Sequence, residues 1–121
     1  SGYTSLNVWH RAMDLAAGVY DVARLLPKTE QFGMTSQLQR AVASVPANIA
    51  EGYQRGSRKD YARFIAIARG HSRETETFLL LAVRVGHLEQ SAITSSLSLA
   101  DEVSRMLTQL KRRLDAPPGR S

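Results

Sequence analysis

A chain of 121 residues is long enough for one domain, taken here as residues 1–121, and too short for two ordinary ones. Hydrophobic residues make up 43%, which excludes wholesale disorder, and no apolar run approaches the ~20 residues of a membrane span. Cysteine is absent, which excludes disulfide staples and thiolate metal sites and, with no charged-then-apolar leader at the start given, points to the cytoplasm. The formal net charge of +5 is concentrated: residues 55–73 hold Arg55, Arg58, Lys59, Arg63, Arg69 and Arg73 against Asp60 alone, and the rest is balanced.

Four segments carry helical periodicity and none reads as a strand, so the predicted fold is all-α, an up-down-up-down four-helix bundle. The first helix, about 5–26, spaces Trp9, Met13, Ala16, Tyr20 and Ala23 on one face and is stopped by Pro27. The second, about 31–53, shows a stripe of Met34, Leu38, Ala41, Val42, Val45, Ile49 and Tyr53, with Gly52 as its stop signal. Pro46 falls inside that stripe. A proline there removes a backbone donor and costs about 3 kcal/mol in a plain helix interior. The apolar spacing continues through it, which predicts one helix kinked at Pro46. The third helix, about 57–86, opens with Ser57-Arg58-Lys59-Asp60, a capping box with Asp in the usual Glu place. Its core face is Tyr61, Phe64, Ile65, Ala68, Thr75, Phe78, Leu79 and Ala82, and Gly86 ends it. The fourth, about 91–114, presents Ile93, Leu97, Ala100, Val103, Leu107, Leu110 and Leu114. Lys111, Arg112 and Arg113 in its last turn complement the helix dipole. Residues 115–121 read as a flexible tail.

Three groups of side chains invite a functional reading. On the third helix, Arg58, Lys59, Arg63, Arg69 and Arg73 fall within an arc of about 140° at 100° per residue, opposite the core face. With Arg55 they form a candidate nucleic-acid-binding stripe that follows phosphates, although Glu76 intrudes on it and the alternative is a solvated face. Tyr61 and Phe64 turn toward the core, so binding through the backbone is expected rather than base stacking. Asn48, Glu51 and Gly52 share one face by their i, i+3, i+4 spacing. They read as a structural polar network at the end of the second helix, with Arg40 or Arg69 as the charge partner of Glu51. His71 and Glu74 make one His-x-x-Glu pair, but a helical di-metal site needs two such pairs plus two further carboxylates, and His10 and His87 stand alone. His71 is expected as a hydrogen-bonded interior histidine. No metal site, cofactor or catalytic residue is assigned. Phosphate-loop, dinucleotide and nucleophile-elbow patterns are missing, and Ser72 and Ser104 have no organised His or Asp company, so no enzymatic activity is expected.

A set of residues from Leu6 to Thr77 carries a family resemblance. It runs through Leu6, Val8-Trp9 and Ala12, then Val19-Tyr20, Pro27, Glu30 and Phe32-Gly33. It continues with Gln37-Leu38, Arg40-Ala41, Val45-Pro46, Asn48-Ile49-Ala50-Glu51-Gly52, Arg55 and Ser57, then Tyr61, Arg63-Phe64, Ile67-Ala68, Gly70, Glu74 and Glu76-Thr77. The chain resembles the four-helix-bundle family of 23S rRNA intervening-sequence proteins, to which the accessory bundle proteins of diversity-generating retroelements are related. The match covers roughly residues 6–88, and the last helix fits by pattern. Where that family tends to read Ser-Leu and then Glu-Leu-Glu, this chain has His71-Ser72 and Glu74-Thr75-Glu76, which makes the middle of the third helix more polar. The resemblance implies a ring-like homo-oligomer, typically a pentamer, with no established enzymatic activity and with association to RNA, DNA or a ribonucleoprotein. It also implies a reverse transcriptase as partner where one is encoded nearby. A five-fold ring would repeat the basic stripe and strengthen its field. The alternative role is a protein-interaction scaffold with no nucleic-acid function.

Overall fold

The computed structural model describes residues 2–117, so the end of the expected tail, residues 118–121, lies outside the described residues. Four helices account for most of the chain: α1 Asn7–Ala23, α2 Met34–Tyr53, α3 Arg58–Arg84 and α4 Gln90–Asp115. Short 3-10 turns at Gly2–Ser5 and Lys28–Glu30 precede α1 and α2. Each helix packs on its sequence neighbour and α1 closes against α4, so the four surround one core. Fully buried Leu15 and Val19 from α1, Leu38, Val42, Val45 and Ile49 from α2, Ile65 and Leu79 from α3, and Ile93, Val103 and Leu107 from α4 fill it. Among the described residues there is no strand.

The α1 face differs from the expected one. The buried set is Val8, Ala12, Leu15, Val19 and Ala23, while Met13 and Tyr20 are 44% and 41% exposed. The sequence offers two apolar stripes one residue apart on this helix. The stripe of smaller aliphatic side chains faces α2 and α4, where close packing is required, and the bulkier Met13 and Tyr20 are left outside.

The helix ends are set by named bonds. Ser57 Oγ accepts from the Asp60 backbone N–H at 3.1 Å, the expected cap of α3. At the other end of α3, Gly86 adopts φ +83°, the His87 N–H donates to the Ala82 carbonyl at 2.8 Å, and the Gly86 N–H donates to the Val83 carbonyl at 3.0 Å. That pair of bonds is a Schellman motif, and only glycine enters the left-handed region there without strain. Glu30 caps α2: its Oε1 accepts from the Met34 N–H at 2.9 Å. The helix α2 runs unbroken through Pro46, whose ring is buried with the core residues around it.

Gly52 lies one residue short of the end of α2 and provides the close backbone approach expected of a glycine there. The helix continues to Tyr53, and a Cβ on Gly52 would lie 2.8 Å from Phe64 Cβ and 3.3 Å from the Tyr61 carbonyl oxygen. At Gly52, α2 and α3 approach too closely to admit a side chain. Ser72 and Thr75, the polar replacements in the middle of α3, are fully buried and satisfied. Ser72 Oγ donates to the Ala100 carbonyl at 3.2 Å and accepts from Ser104 Oγ at 2.8 Å, and Thr75 Oγ1 donates to the His71 carbonyl at 2.8 Å. A serine on α4 thus answers the serine on α3. No buried side-chain polar atom among the described residues lacks a partner.

Candidate nucleic-acid interface

The six basic residues of the expected stripe separate into two groups. Arg55, Arg58, Lys59 and Arg63 gather where α3 begins. Arg69 and Arg73, two and three turns on, face α4 instead. Arg69 Nη1 donates to Thr108 Oγ1 at 3.4 Å, and Arg73 Nη1 pairs with Glu76 at 2.9 Å and Asp101 at 3.5 Å. Asp101 also holds Arg105, and this hydrogen bond first, then Arg73, keeps its carboxyl below the usual carboxylate range. The charge of Arg73 is therefore matched locally, because the facing turn of α4 is acidic.

The first group is enlarged by residues that sequence reading assigned only to a helix dipole. Arg58 donates to the backbone carbonyl of Arg113, which fixes the start of α3 against the end of α4. Lys111, Arg112 and Arg113 join the same end of the bundle, and the Arg113 charge is felt at Tyr61. Burial is the main influence on the Tyr61 hydroxyl and pushes its pKa up. A signal for this meeting was present: helices of similar length joined by short loops bring the last turn of the fourth beside the first turn of the third.

Phe64 organises part of this surface. The Arg63 and Arg55 guanidinium groups lie 4.6 and 5.1 Å from its ring centroid, so the ring carries two cations. Phe64 was expected to face the core; it is half-buried and serves as a platform for arginines. Asp60 is shared between Arg63 at 3.4 Å and Arg55 at 3.6 Å, Glu51 pairs with Arg55 at 3.2 Å, and Lys111 pairs with Asp115. The Lys59 side chain has no ion pair or hydrogen bond among the described residues. The end as a whole sets Arg55, Arg58, Lys59, Arg63, Lys111, Arg112 and Arg113 against Glu51, Asp60 and Asp115. Chemically it is a cationic surface with two guanidinium planes held in place, suited to phosphate oxygens.

The expected polar network is not assembled. Glu51 is exposed and its partner is Arg55, one turn on, rather than Arg40 or Arg69. Asn48 Nδ2 donates at 2.7 Å to the Ser44 carbonyl of its own helix, and Ser44 Oγ donates at 2.7 Å to the Arg40 carbonyl. The reason is geometric. Asn48 points along α2 past Pro46, while the close approach at Gly52 leaves room for no charged side chain between α2 and α3. His71 is also not interior: it sits half-exposed, with Nδ1 3.0 Å from Glu74 Oε1. His10 Nε2 lies 2.6 Å from the Thr4 carbonyl and His87 Nε2 lies 3.1 Å from Glu30 Oε2. Among the described residues no three His, Cys, Asp or Glu side chains come together in a way that could hold a metal ion. No helix among them is long and apolar enough to cross a membrane.

Comparison with known proteins settles the family. A model described as 23S rRNA-intervening sequence protein matches residues 4–109. The chain belongs to that family. The match extends into α4, beyond the residues on which the resemblance first rested. Among solved structures, the family member is similar to a protein of unknown function from the S23 ribosomal protein family of Bacteroides thetaiotaomicron. The two share 25% identity and a TM-score of 0.80, over 87% of this chain and 98% of that one. No curated protein matches the chain.

Proposed function

We propose that this member of the family is a non-enzymatic, homo-oligomeric bundle protein that binds nucleic acid through the basic end formed by the start of α3 and the end of α4. The observation that supports this reading is the junction at Arg58 and Arg113, which gathers the cationic residues of two helices into one surface with few acidic neighbours. The family's name refers to ribosomal RNA, and RNA is accordingly the first ligand to try. The contacts would be with phosphates, since the guanidinium planes at this end already lie over Phe64. For the assembly, Met13 and Tyr20 on α1 and Ile67, Leu80 and Leu81 on α3 remain uncovered on the single protomer, which suits additional interfaces in a ring, a pentamer on the family resemblance.

The test is a salt series of duplex RNA binding. If one protomer neutralises about four phosphates, log K falls with log salt at a slope near −3.6, from about −0.9 per phosphate. Arg58→Glu, Lys59→Glu and Arg63→Glu together abolish binding and leave helicity unchanged. Binding that ignores both salt and these substitutions removes the basic end from the function. Light scattering behind a sizing column reads the assembly; a monomer at micromolar concentration overturns that part. An assembled protein that binds no nucleic acid at low salt would favour the interaction-scaffold role.

A further inference from the structure

Phe32 is 90% exposed, yet its backbone is held firmly. The flanking Glu30 caps α2 through Met34, the Gly33 N–H donates to the Glu30 carbonyl at 2.9 Å, and a Cβ on Gly33 would lie 2.7 Å from Glu30 Oε1. A single exposed aromatic side chain is ordinary on a protein surface. This one stands at the mouth of a groove of about 460 Å³ between α2 and α3, whose walls include Gln37, Arg40 and Ser44 on one side and His71 and Glu74 on the other. The Arg40 guanidinium has no acceptor among the described residues, whereas Arg11, Arg24, Arg55, Arg63, Arg73 and Arg105 each hold a carboxylate. His71 gives its Nδ1–H to Glu74, which orients the ring and leaves Nε2 available.

We infer that the α2–α3 groove binds one unstacked nucleotide of a single-stranded nucleic acid. Its base and its phosphate each find a complement. The base has the face of Phe32 to stack on, the phosphate has the unpaired Arg40 guanidinium, and the base edge has the Gln37 amide and the second oxygen of Glu74. A bare phosphate fits less well because the Glu74 carboxylate shares the groove; a base amino group makes that carboxylate a partner. The N-terminus of α2 is not the anion site, since Glu30 already occupies it. The inference rests on the nucleic-acid reading above and adds base contact to it, through residues that the basic end does not use.

Two probes separate this site from the basic end. Nucleoside 5′-monophosphates titrated into ¹⁵N-labelled protein should shift amides of residues 32–44 and 71–74, and Phe32→Ala should remove the shifts. Binding of a fluorescein-labelled single-stranded 12-nucleotide RNA should weaken about 5- to 150-fold in Phe32→Ala, the range that loss of one stacked base gives, with duplex affinity unchanged. Arg40→Ala should weaken the single strand and lower its salt slope by about 0.7. Both side chains lack stabilising partners, so both variants should melt as the parent does. Single-strand affinity unchanged in both variants, or nucleotide shifts confined to other residues, overturns the inference. Should duplex binding fail altogether while nucleotides still shift the groove, the basic-end reading falls and this one stands. If Phe32→Ala breaks up the assembly and the parent groove shows no nucleotide shifts, Phe32 is a protomer contact and the inference is wrong.

Discussion

At one end of the bundle α2 passes to α3 across residues 54–57, beside the end of α4; at the other, residues 24–33 lead into α2 and residues 85–89 into α4. Both ends contain a helix stop, a tight connection and a capped start, but they use their polar groups differently. At the second end Glu30 accepts from the Met34 N–H and from His87, and the Gly86 turn closes its own backbone bonds. The turns close their own bonds there, the exposed residues mix apolar Leu25, Phe32 and Val85 with polar ones, and the charges of Arg24, Lys28 and Arg84 are balanced by those of Asp21, Glu30 and Glu89. At the first end Asp60 is divided between two arginines, and Lys59, Arg112 and Arg113 face water without carboxylates. The contrast separates fold from function. Where polar groups are saturated internally they hold helices together; where cations outnumber anions, the surplus is available to a partner and contributes little to stability.

The sharpest test of that separation lies inside the basic end, at Gly52. A methyl group there meets the root of the Phe64 side chain and the Tyr61 backbone, neither of which can swing away, so Gly52→Ala must push α2 from α3. Overpacking of this kind costs about 1–3 kcal/mol. The double charge reversal Lys59→Glu and Arg112→Glu, at exposed side chains that hold no carboxylate, should change stability by only about 0.5 kcal/mol, as exposed substitutions do. Urea titrations of both variants check the claim. If the charge reversal costs as much as Gly52→Ala, the basic residues are structural and the contrast between the ends fails.

Glu30 tests the opposite end. Its carboxyl is held below the ordinary range, first by the Met34 N–H and second by the His87 side chain. A carboxyl whose pKa is lowered by folding contributes stability that is present above the unfolded value, about 4.3, and lost as pH falls through the folded value. The gap in Tm between the parent and Glu30→Ala should therefore narrow as the pH falls below about 4. A gap that did not change with acidification would mean that the ionised carboxylate is not what holds this end. Gly33→Ala should behave as a milder version, because the obstacle it meets is the movable end of Glu30.

How far the sequence foretells these ends follows from the range of the forces involved. The Ser57 cap and the Gly86 stop are local bonds between residues three to five apart, and both are legible as motifs. The core faces of α2, α3 and α4 follow from periodicity except at their meeting edge, where Tyr53 is exposed and Phe64 is half-buried. On α1 two stripes compete, and only the space between α2 and α4 decides for Val8, Ala12, Leu15 and Val19. The candidate sites are the least legible. Arg58 meeting Arg113 across 55 residues, or Phe32 and Arg40 facing His71 and Glu74, depends on how helices sit beside one another. Composition located the excess charge in residues 55–73, but the acidic turn of α4 that takes Arg73 from it is a tertiary fact.

The smallest effects are expected where sequence reading placed a buried network. Glu51 is 51% exposed and joined to Arg55 by an i, i+4 pair at 3.2 Å, an arrangement measured elsewhere at about 0.3–0.5 kcal/mol. Glu51→Ala should thus leave the Tm nearly unchanged. It should also strengthen nucleic-acid binding slightly, because it frees Arg55 and removes a negative charge from the basic end. Asn48→Ala should cost somewhat more, about 1 kcal/mol, since a part-buried side chain loses its bond to the Ser44 carbonyl, although that carbonyl still lies within reach of its helical donor. Glu51→Gln keeps the size and removes the charge, and it should reproduce the binding gain of the alanine variant without altering the melt. A drop in Tm of many degrees for Glu51→Ala would restore the carboxylate as a structural clamp, and a loss of binding in either Glu51 variant would mean that this acid orients Arg55 for phosphate instead of competing with it.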